Sequence, residues 1–384
     1  MKKTLLTVAI MIMAGIIYAQ NVYISDANFK SYLLGNPEIN TDGDNEISVS
    51  EAAGFTGTIE YEGGFLDNYA IWNEDNPIND LTGIEAFTAI TGLIIPGNHL
   101  ISIDLSTNTA LTTLNCYHNQ LNILDLSANS AITALDCSNN QISTLDISNN
   151  TALTHLTCNN NQISTLGLSS NTNLTHLTCY INEINSMDLS ANTALAYLYC
   201  GSNQISTLNL NTNVALIQLW CDGNQISVLD LSANTALTGL ICSNNQLTSL
   251  NLKNGNNYAM GDYCYVHNNP NLTCIQVDDT AYAIATWSSN VDTTASFSED
   301  CNYTAVNELV NNHTAIAAYP NPTTDLIHFS EPADVQVWNI TGQMVAQYSH
   351  AEVIAITGQP TGMYFLSFTD KSGQVVQRSK IVKK

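Results

Sequence analysis

A 21-residue period governs most of this chain. From Ile90 to Asn257 the sequence divides into eight consecutive units of 21 residues, each reading roughly L-x-x-L-x-C-x-x-N-x-I-x-x-L-x-L-x-x-N-x-A. Asn holds the ninth place of every unit (Asn98, Asn119, Asn140, Asn161, Asn182, Asn203, Asn224, Asn245). Cys holds the sixth (Cys116, Cys137, Cys158, Cys179, Cys200, Cys221, Cys242), with Ile95 there in the first unit. Self-similarity of this kind marks a repeat architecture in which each unit buries its apolar side only against its neighbours. So short a unit leaves little room for a helix beside a strand and two turns. Each therefore reads as one coil, a short strand and an extended return, stacked parallel to the next about 4.8 Å away. The repeated Leu and Ile point inward. The ninth-place Asn sits where the chain leaves the strand; its amide can satisfy backbone groups that the bend leaves unpaired, and stacked copies can bond to one another.

Runs such as "LTTLNCYHNQL" at Leu111–Leu121 resemble the bacterial leucine-rich repeats, in particular the cysteine-bearing, 21-residue type of internalin-like surface proteins. The resemblance implies a mainly β fold: a solenoid with a parallel sheet, capped at both ends. About a ligand it is nearly silent, because one repeat fold serves many partners. In this alignment the sixth place matches a core leucine, so the thiols point inward. In-register Cβ atoms would lie about as far apart as the strands, beyond the roughly 3.5–4.5 Å of a disulfide. A linear ladder also offers zinc no tetrahedron. Buried Cys behaves as a small hydrophobe, and we read the ladder as core filling over metal, redox or cross-linking roles. Cys264, 22 residues after Cys242, is expected to continue it.

The ends are organised differently. Lys2 and Lys3 precede an apolar run from Leu5 to Ile17, and Ala19 offers a small-residue cleavage point, the layout of a secretory signal peptide over residues 1–19. Residues 20–89 read as an N-terminal cap, with a short helix over "DANFKSYLL" capped by Asp26 and a degenerate half-repeat at Ile78–Phe87. Between them "NTDGDNEISVSE" follows the spacing of an EF-hand calcium loop: Asn40, Asp42, Asp44, the carbonyl of Glu46, Ser48 and Glu51 fall at the liganding places. Asn40 stands where Asp is usual, and Asn45 where Gly supplies a left-handed turn. The expectation is a structural Ca2+ and no other cofactor. After the repeats, residues 258–303 read as the C-terminal cap, where Cys274 and Cys301 lie off the ladder and, in an exported chain, suggest a disulfide.

Beyond a polar linker at 304–316, alternation in "DVQVWNI" and turns at "TGQ", "PTG" and "KSGQ" argue for a small antiparallel β-sandwich over residues 317–384. "YPNP" at Tyr319–Pro322, "WNITGQMV" at Trp338–Val345, "PTGMYFL" at Pro360–Leu366 and the basic end "KIVKK" make it resemble the C-terminal sorting domain of the type IX secretion system. That implies passage through the periplasm and across the outer membrane, release or surface attachment, and the secretion machinery with its sortase-like peptidase as partners.

Charge narrows the function. The formal net charge is −24, and Lys253 is the only Lys or Arg between Lys30 and Lys371. A phosphate backbone needs clustered cations to release its counterions, so nucleic acid and anionic membranes are set aside. No stretch after the leader is long and apolar enough to span a membrane. Places three, five, seven and eight of each unit flank inward residues and should face solvent on the concave sheet. There His176, Tyr180, Tyr197, Tyr199, Gln218, Trp220 and Asp222 gather in one patch suited to a protein hot spot or a sugar ring. His155 and His176 share a column but lack a third metal ligand. Asp104, Asp125, Asp146, Asp188 and Asp230 form another column on the return, read as hydrated or as turn caps. No nucleophilic triad, phosphate loop or H-E-x-x-H occurs, and the expectation is a secreted or surface recognition and adhesion protein binding a protein or glycan, not an enzyme. The alternative is a surface spacer or matrix component without a specific ligand.

Overall fold

The computed structural model describes residues 20–62, 76–301, 316–369 and 375–384. The signal-peptide reading and nearly all of the linker lie outside them. The chain divides into two compact units, Met1–Cys301 and Asn302–Lys384.

The first unit opens with helix α1 (Ala27–Gly35), whose Asp26 cap accepts from the N–H groups of Asn28 and Phe29. Helix α2 (Val49–Gly54) follows, and then strand β1 (Thr58–Glu60). β1 pairs in parallel with β2 (Gly92–Ile94), Ile59 beside Leu93. The half-repeat at 78–87 is therefore the return half of a coil whose strand is β1. The residues at 63–75, which separate the two halves, lie outside the described residues.

From there each coil contributes one three-residue strand: β3 (Thr113–Asn115), β4 (Ala134–Asp136), β5 (His155–Thr157), β6 (His176–Thr178), β7 (Tyr197–Tyr199) and β8 (Gln218–Trp220). On the return lies β9 (Val228–Asp230), then β10 (Gly239–Ile241) on the main sheet and β11 (Ser249–Asn251) on the return. The central Leu of each main-sheet strand is buried and its two flanking residues face out, as strand alternation demands. Each coil then turns through a left-handed residue at its eighth place: φ is 52° at His118, 53° at Asn160 and Ile181, 51° at Ser202 and 63° at Gly223.

The ninth-place Asn closes that turn. Asn161 Nδ2 donates to the carbonyls of Cys137 and Cys158, both at 3.1 Å, while its Oδ1 accepts from Ile142 N at 2.9 Å. The same set recurs at Asn182, Asn203 and Asn224. These amides do not bond to one another, as the stacking suggested; each bonds to the backbone of the coil before it. A second column, Asn108 to Asn234, is fully buried and donates to carbonyls of the preceding coil on the return side. The return-side aspartates cap turns: Asp104, Asp125, Asp146, Asp188 and Asp230 each accept from the Ser N–H two residues on.

The cysteines from Cys116 to Cys242 are buried and free. Cys264 departs from the expectation. Helix α3 (Asn257–Met260) lengthens the eighth coil, and β12 (Cys264–Tyr265) pairs with β10 so that Cys264 stands beside Leu240. It occupies the leucine column. Val266 takes the place after Cys242, and Asn269 donates to Cys242 O at 3.1 Å as a ninth-place Asn would.

Ten parallel strands form the main sheet, in the order β1 to β8, then β10 and β12. On the return side β13 (Cys274–Gln276) and β14 (Ser296–Ser298) join β11 and β9 in a four-stranded parallel sheet. Helix α4 (Thr280–Trp287) closes the end of the solenoid; Trp287 is fully buried and donates to Gly261 O at 2.7 Å. Cys274 and Cys301 are joined by a disulfide, their Cα atoms 5.9 Å apart, which ties β13 to the end of the cap.

The second unit realises its sandwich as one curled antiparallel sheet. Its strands are β15 (Ala318–Tyr319), β16 (Leu326–Asn339), β17 (Met344–Ala355), β18 (Gly362–Thr369) and β19 (Val375–Lys383). β16 pairs with β15, β17 and β18, and register shifts along it let the sheet bend around Ile327, Val335, Val337, Leu366 and Phe368. Among the described residues no helix of either unit is long and apolar enough to cross a membrane.

Candidate functional site

Strand register decides which outward residues meet. His176 lies beside Tyr197, Tyr197 beside Gln218, and Tyr199 beside Trp220. In the third-place column the rings of His155 and His176 stack with centroids 4.2 Å apart, and those of His176 and Tyr197 at 4.4 Å. In the fifth-place column Tyr199 and Trp220 sit at 4.3 Å, tilted by 33°. Tyr199 Oη crosses between columns and donates to Gln218 Oε1 at 2.6 Å. Six aromatic or amide side chains thus form one continuous surface over four coils.

Stacking changes what the surface offers. The faces of His155, His176 and Tyr197 are turned on one another, so this column presents edges to solvent. Thr154 Oγ1 donates its single hydrogen to Thr133 O, and therefore accepts from His155 Nδ1 at 2.9 Å. Thr175 does the same for His176 at 2.8 Å. Each neutral ring is left with Nε2 as an acceptor. Burial, and then His155, push the pKa of His176 below its ordinary value, which favours that neutral form. Burial, and then Tyr197, raise Tyr199.

Trp220 is 41% exposed and Tyr180 39%. Tyr180 and Asp222 stand at strand exits, two coils apart in the seventh-place column, with Gly201 between them. Three neighbours escaped the sequence reading. Tyr263, 69% exposed, and Tyr265 extend the third- and fifth-place columns onto the ninth coil. Aligning "YCYVHNN" by its Asn rather than by its Cys would have found them. Ile181 is an exposed β-branched residue held at φ 53°, next to Tyr180. His155 and His176 do not chelate; their Nδ1 atoms are engaged and their rings lie parallel.

The Asn40–Glu51 loop is built differently from its calcium template. The left-handed residue is Gly43, at φ 70°, and Asn45 is not left-handed. Asp42 Oδ1 accepts from Asp44 N, and Asp44 Oδ1 from Glu46 N. Ser48 and Glu51 form a capping box for α2. Glu51 Oε2 takes the N–H and hydroxyl of Ser48, and Oε1 the N–H and hydroxyl of Thr41 and the N–H of Asp42. Partial desolvation would raise the Glu51 pKa, but these bonds outweigh it and bring it down to about 2. Glu46 carries its carboxylate to Lys30, at 2.7 Å. Asn40 Nδ2 donates to Leu34 O and Asp44 O, while its buried Oδ1 has no partner. Among the described residues no three His, Cys, Asp or Glu are arranged to hold a metal ion.

The coils, their strand-exit asparagines and their parallel sheet define a leucine-rich-repeat solenoid with a cysteine ladder. Residues 317–384 match the family described as secretion system C-terminal sorting domain. The chain thus joins a leucine-rich-repeat fold to a C-terminal sorting domain, which implies export to the cell surface or beyond. No curated protein matches it in sequence. Among solved structures, the functional domain of InlJ from Listeria monocytogenes, which includes a cysteine ladder, is similar at 20% identity and a TM-score of 0.42, covering 95% of this chain and 100% of that one. An internalin (InlF) from the same species gives 20% identity and 0.40, over 72% and 96%. The leucine-rich-repeat protein LIC12759 of Leptospira interrogans gives 19% and 0.44, over 57% and 59%.

Proposed function

We propose that this protein is a recognition or adhesion module that binds a protein or glycan through the concave face of its solenoid, and that it has no catalytic role. The observation that carries the reading is the continuous patch from His155 to Trp220, in which stacked rings, acceptor nitrogens and an exposed indole share one rigid sheet. Rigid aromatics with few rotatable bonds give contact area at low entropic cost, which suits binding. Export by the type IX machinery brings this face to the cell exterior, and a sortase-like peptidase that removes the tail is its second partner in this reading.

The test is a binding screen of the chain against polysaccharides and surface proteins, beside Trp220→Ala and Tyr199→Ala. A ligand lost in both variants, with the fold kept, supports the concave face. Binding indifferent to both moves the site elsewhere, and silence across the panel favours a spacer.

We also propose that the N-terminal loop takes a structural calcium ion, held by Asn40, Asp42, Asp44, the Glu46 carbonyl, Ser48 and Glu51. The unpaired Asn40 Oδ1 supports it. Glu51 would have to exchange its hydrogen bonds for the metal. A melting temperature unchanged between calcium and chelator would sink this reading.

A further inference from the structure

Among the described residues the Asp222 carboxylate holds nothing. Asp136, on the same face, accepts from the N–H and hydroxyl of Ser138, and the return-side aspartates each cap a serine. No hydrogen bond or ion pair within the described residues reaches the Asp222 carboxylate. It lies instead over Gly201, its Oδ1 2.7 Å from where a Cβ on that glycine would stand. The carboxylate occupies the space that a side chain at Gly201 would take in the seventh-place column. Tyr180 stands one coil before Gly201, Tyr199 belongs to the coil of Gly201, and Trp220, the last residue of β8, precedes Asp222 by two.

A half-buried, unpaired carboxylate beside aromatic rings lacks a counter-charge, and the solenoid has none to offer. Between residues 20 and 301 the only cations are Lys30, paired with Glu46, and Lys253, which donates to Glu299 O. The rings add to the demand, because the face of Trp or Tyr attracts a cation electrostatically. The net charge of −24 sets the same sign at long range and would steer a basic partner toward this surface.

Building on the concave-face reading, we propose that the ligand is a basic protein segment, and that one of its Arg or Lys side chains docks over Gly201 on the Asp222 carboxylate. The cationic head meets the Asp222 carboxylate while its stem and plane lie against Trp220 and Tyr180. A neutral glycan would offer the carboxylate hydroxyl donors but no counter-charge, and a polyanion would be repelled.

The full chain, labelled at its tryptophans, would be titrated with Nα-acetyl-arginine amide, with its uncharged citrulline counterpart and with cellobiose. The indole N–H signal of Trp220, assigned through Trp220→Phe, is the readout. The arginine probe is expected to shift that signal saturably, and to bind about tenfold more weakly in about 0.5 M NaCl than at low salt. Asp222→Asn, isosteric and on the surface, is expected to abolish the difference between arginine and citrulline. Equal response to those two probes in the parent protein, or a response to cellobiose alone, overturns the cation site. A ligand from the screen that is lost with Trp220→Ala yet ignores both salt and Asp222→Asn also overturns it, while leaving the recognition face in place.

Discussion

Asn161 reaches back one coil and donates to the carbonyl of Cys137 at 3.1 Å, while Oδ1 of the same amide receives the N–H of Ile142. One side chain thereby satisfies the Ile142 N–H and shares the Cys137 carbonyl with Asn140 of the previous coil. It also holds its own Cys158 carbonyl. The repeated Asn is thus a fastener between successive coils, half-buried at Asn161 and buried at Asn203 and Asn224.

Removing that fastener should be costly. Asn161→Ala leaves the Ile142 N–H without its acceptor, a group worth about 1–3 kcal/mol when left unpaired, while the carbonyls of Cys137 and Cys158 each lose one of two amide donors and keep Asn140 and Asn182. A loss of about 2 kcal/mol is expected in urea unfolding. Asn161→Asp should cost a similar amount, since a carboxylate cannot donate to the carbonyls of Cys137 and Cys158.

Ile181 is the β-branched exception at a place that other coils give to Asn, His, Ser or Gly, and it stands at φ 53°. Ile181→Asn should stabilise the protein by about 1 kcal/mol, because the left-handed region is costly for side chains branched at Cβ. The measurement is a rise in melting temperature. A fall would mean that the Ile181 side chain does more for the neighbouring Tyr180 than its exposure suggests.

Glu51 couples the N-terminal cap to pH. Its folded pKa, about 2, lies below the ordinary value of 4.5, so folding favours the carboxylate. The stability it contributes is fully present above pH 4.5 and is lost as pH falls through 2. Between those limits Glu51→Gln should show a shallower decline in stability than the parent, measured by melting at a series of acidic pH values. An equally steep decline would assign the acid sensitivity to other carboxylates.

The ladder thiols should be inert while the protein is folded. Burial pushes Cys158 and Cys200 up to about 12, and the thiolate is the reacting form. Iodoacetamide at pH 8 should modify none of the eight free cysteines in the native chain and all of them in denaturant. Cys158→Ser should destabilise more than Cys158→Ala, because its hydroxyl enters an apolar column with no partner.

Much of this was legible in the residues because a repeat states its own geometry. The period of "LTHLTCNNNQI" already told which side chains face in and which face out, and the inward Cys and exit Asn followed from sterics and hydrogen bonding. Ser48 and Glu51 show where spacing is ambiguous. S-x-x-E is both the end of a calcium template and a capping box, and local sequence cannot choose between them. In the structure α2 starts at Val49, the Glu51 N–H donates to the Ser48 hydroxyl, and the Glu51 carboxylate accepts from the N–H of Ser48.

By itself, then, the sequence determined the solenoid, its handful of buried columns and the sorting tail, because period, burial and turn chemistry are local properties repeated in phase. Tertiary structure alone decided the register past residue 257, where the extra turn of α3 moved Cys264 into the leucine column and brought Tyr263 and Tyr265 onto the concave face. It alone decided that three rings would stack and hide their faces, and that Asp222 would lie over Gly201 without a partner. Those outcomes depend on which side chains are neighbours across strands 21 or more residues apart, and cross-strand packing is settled only when the sheet exists.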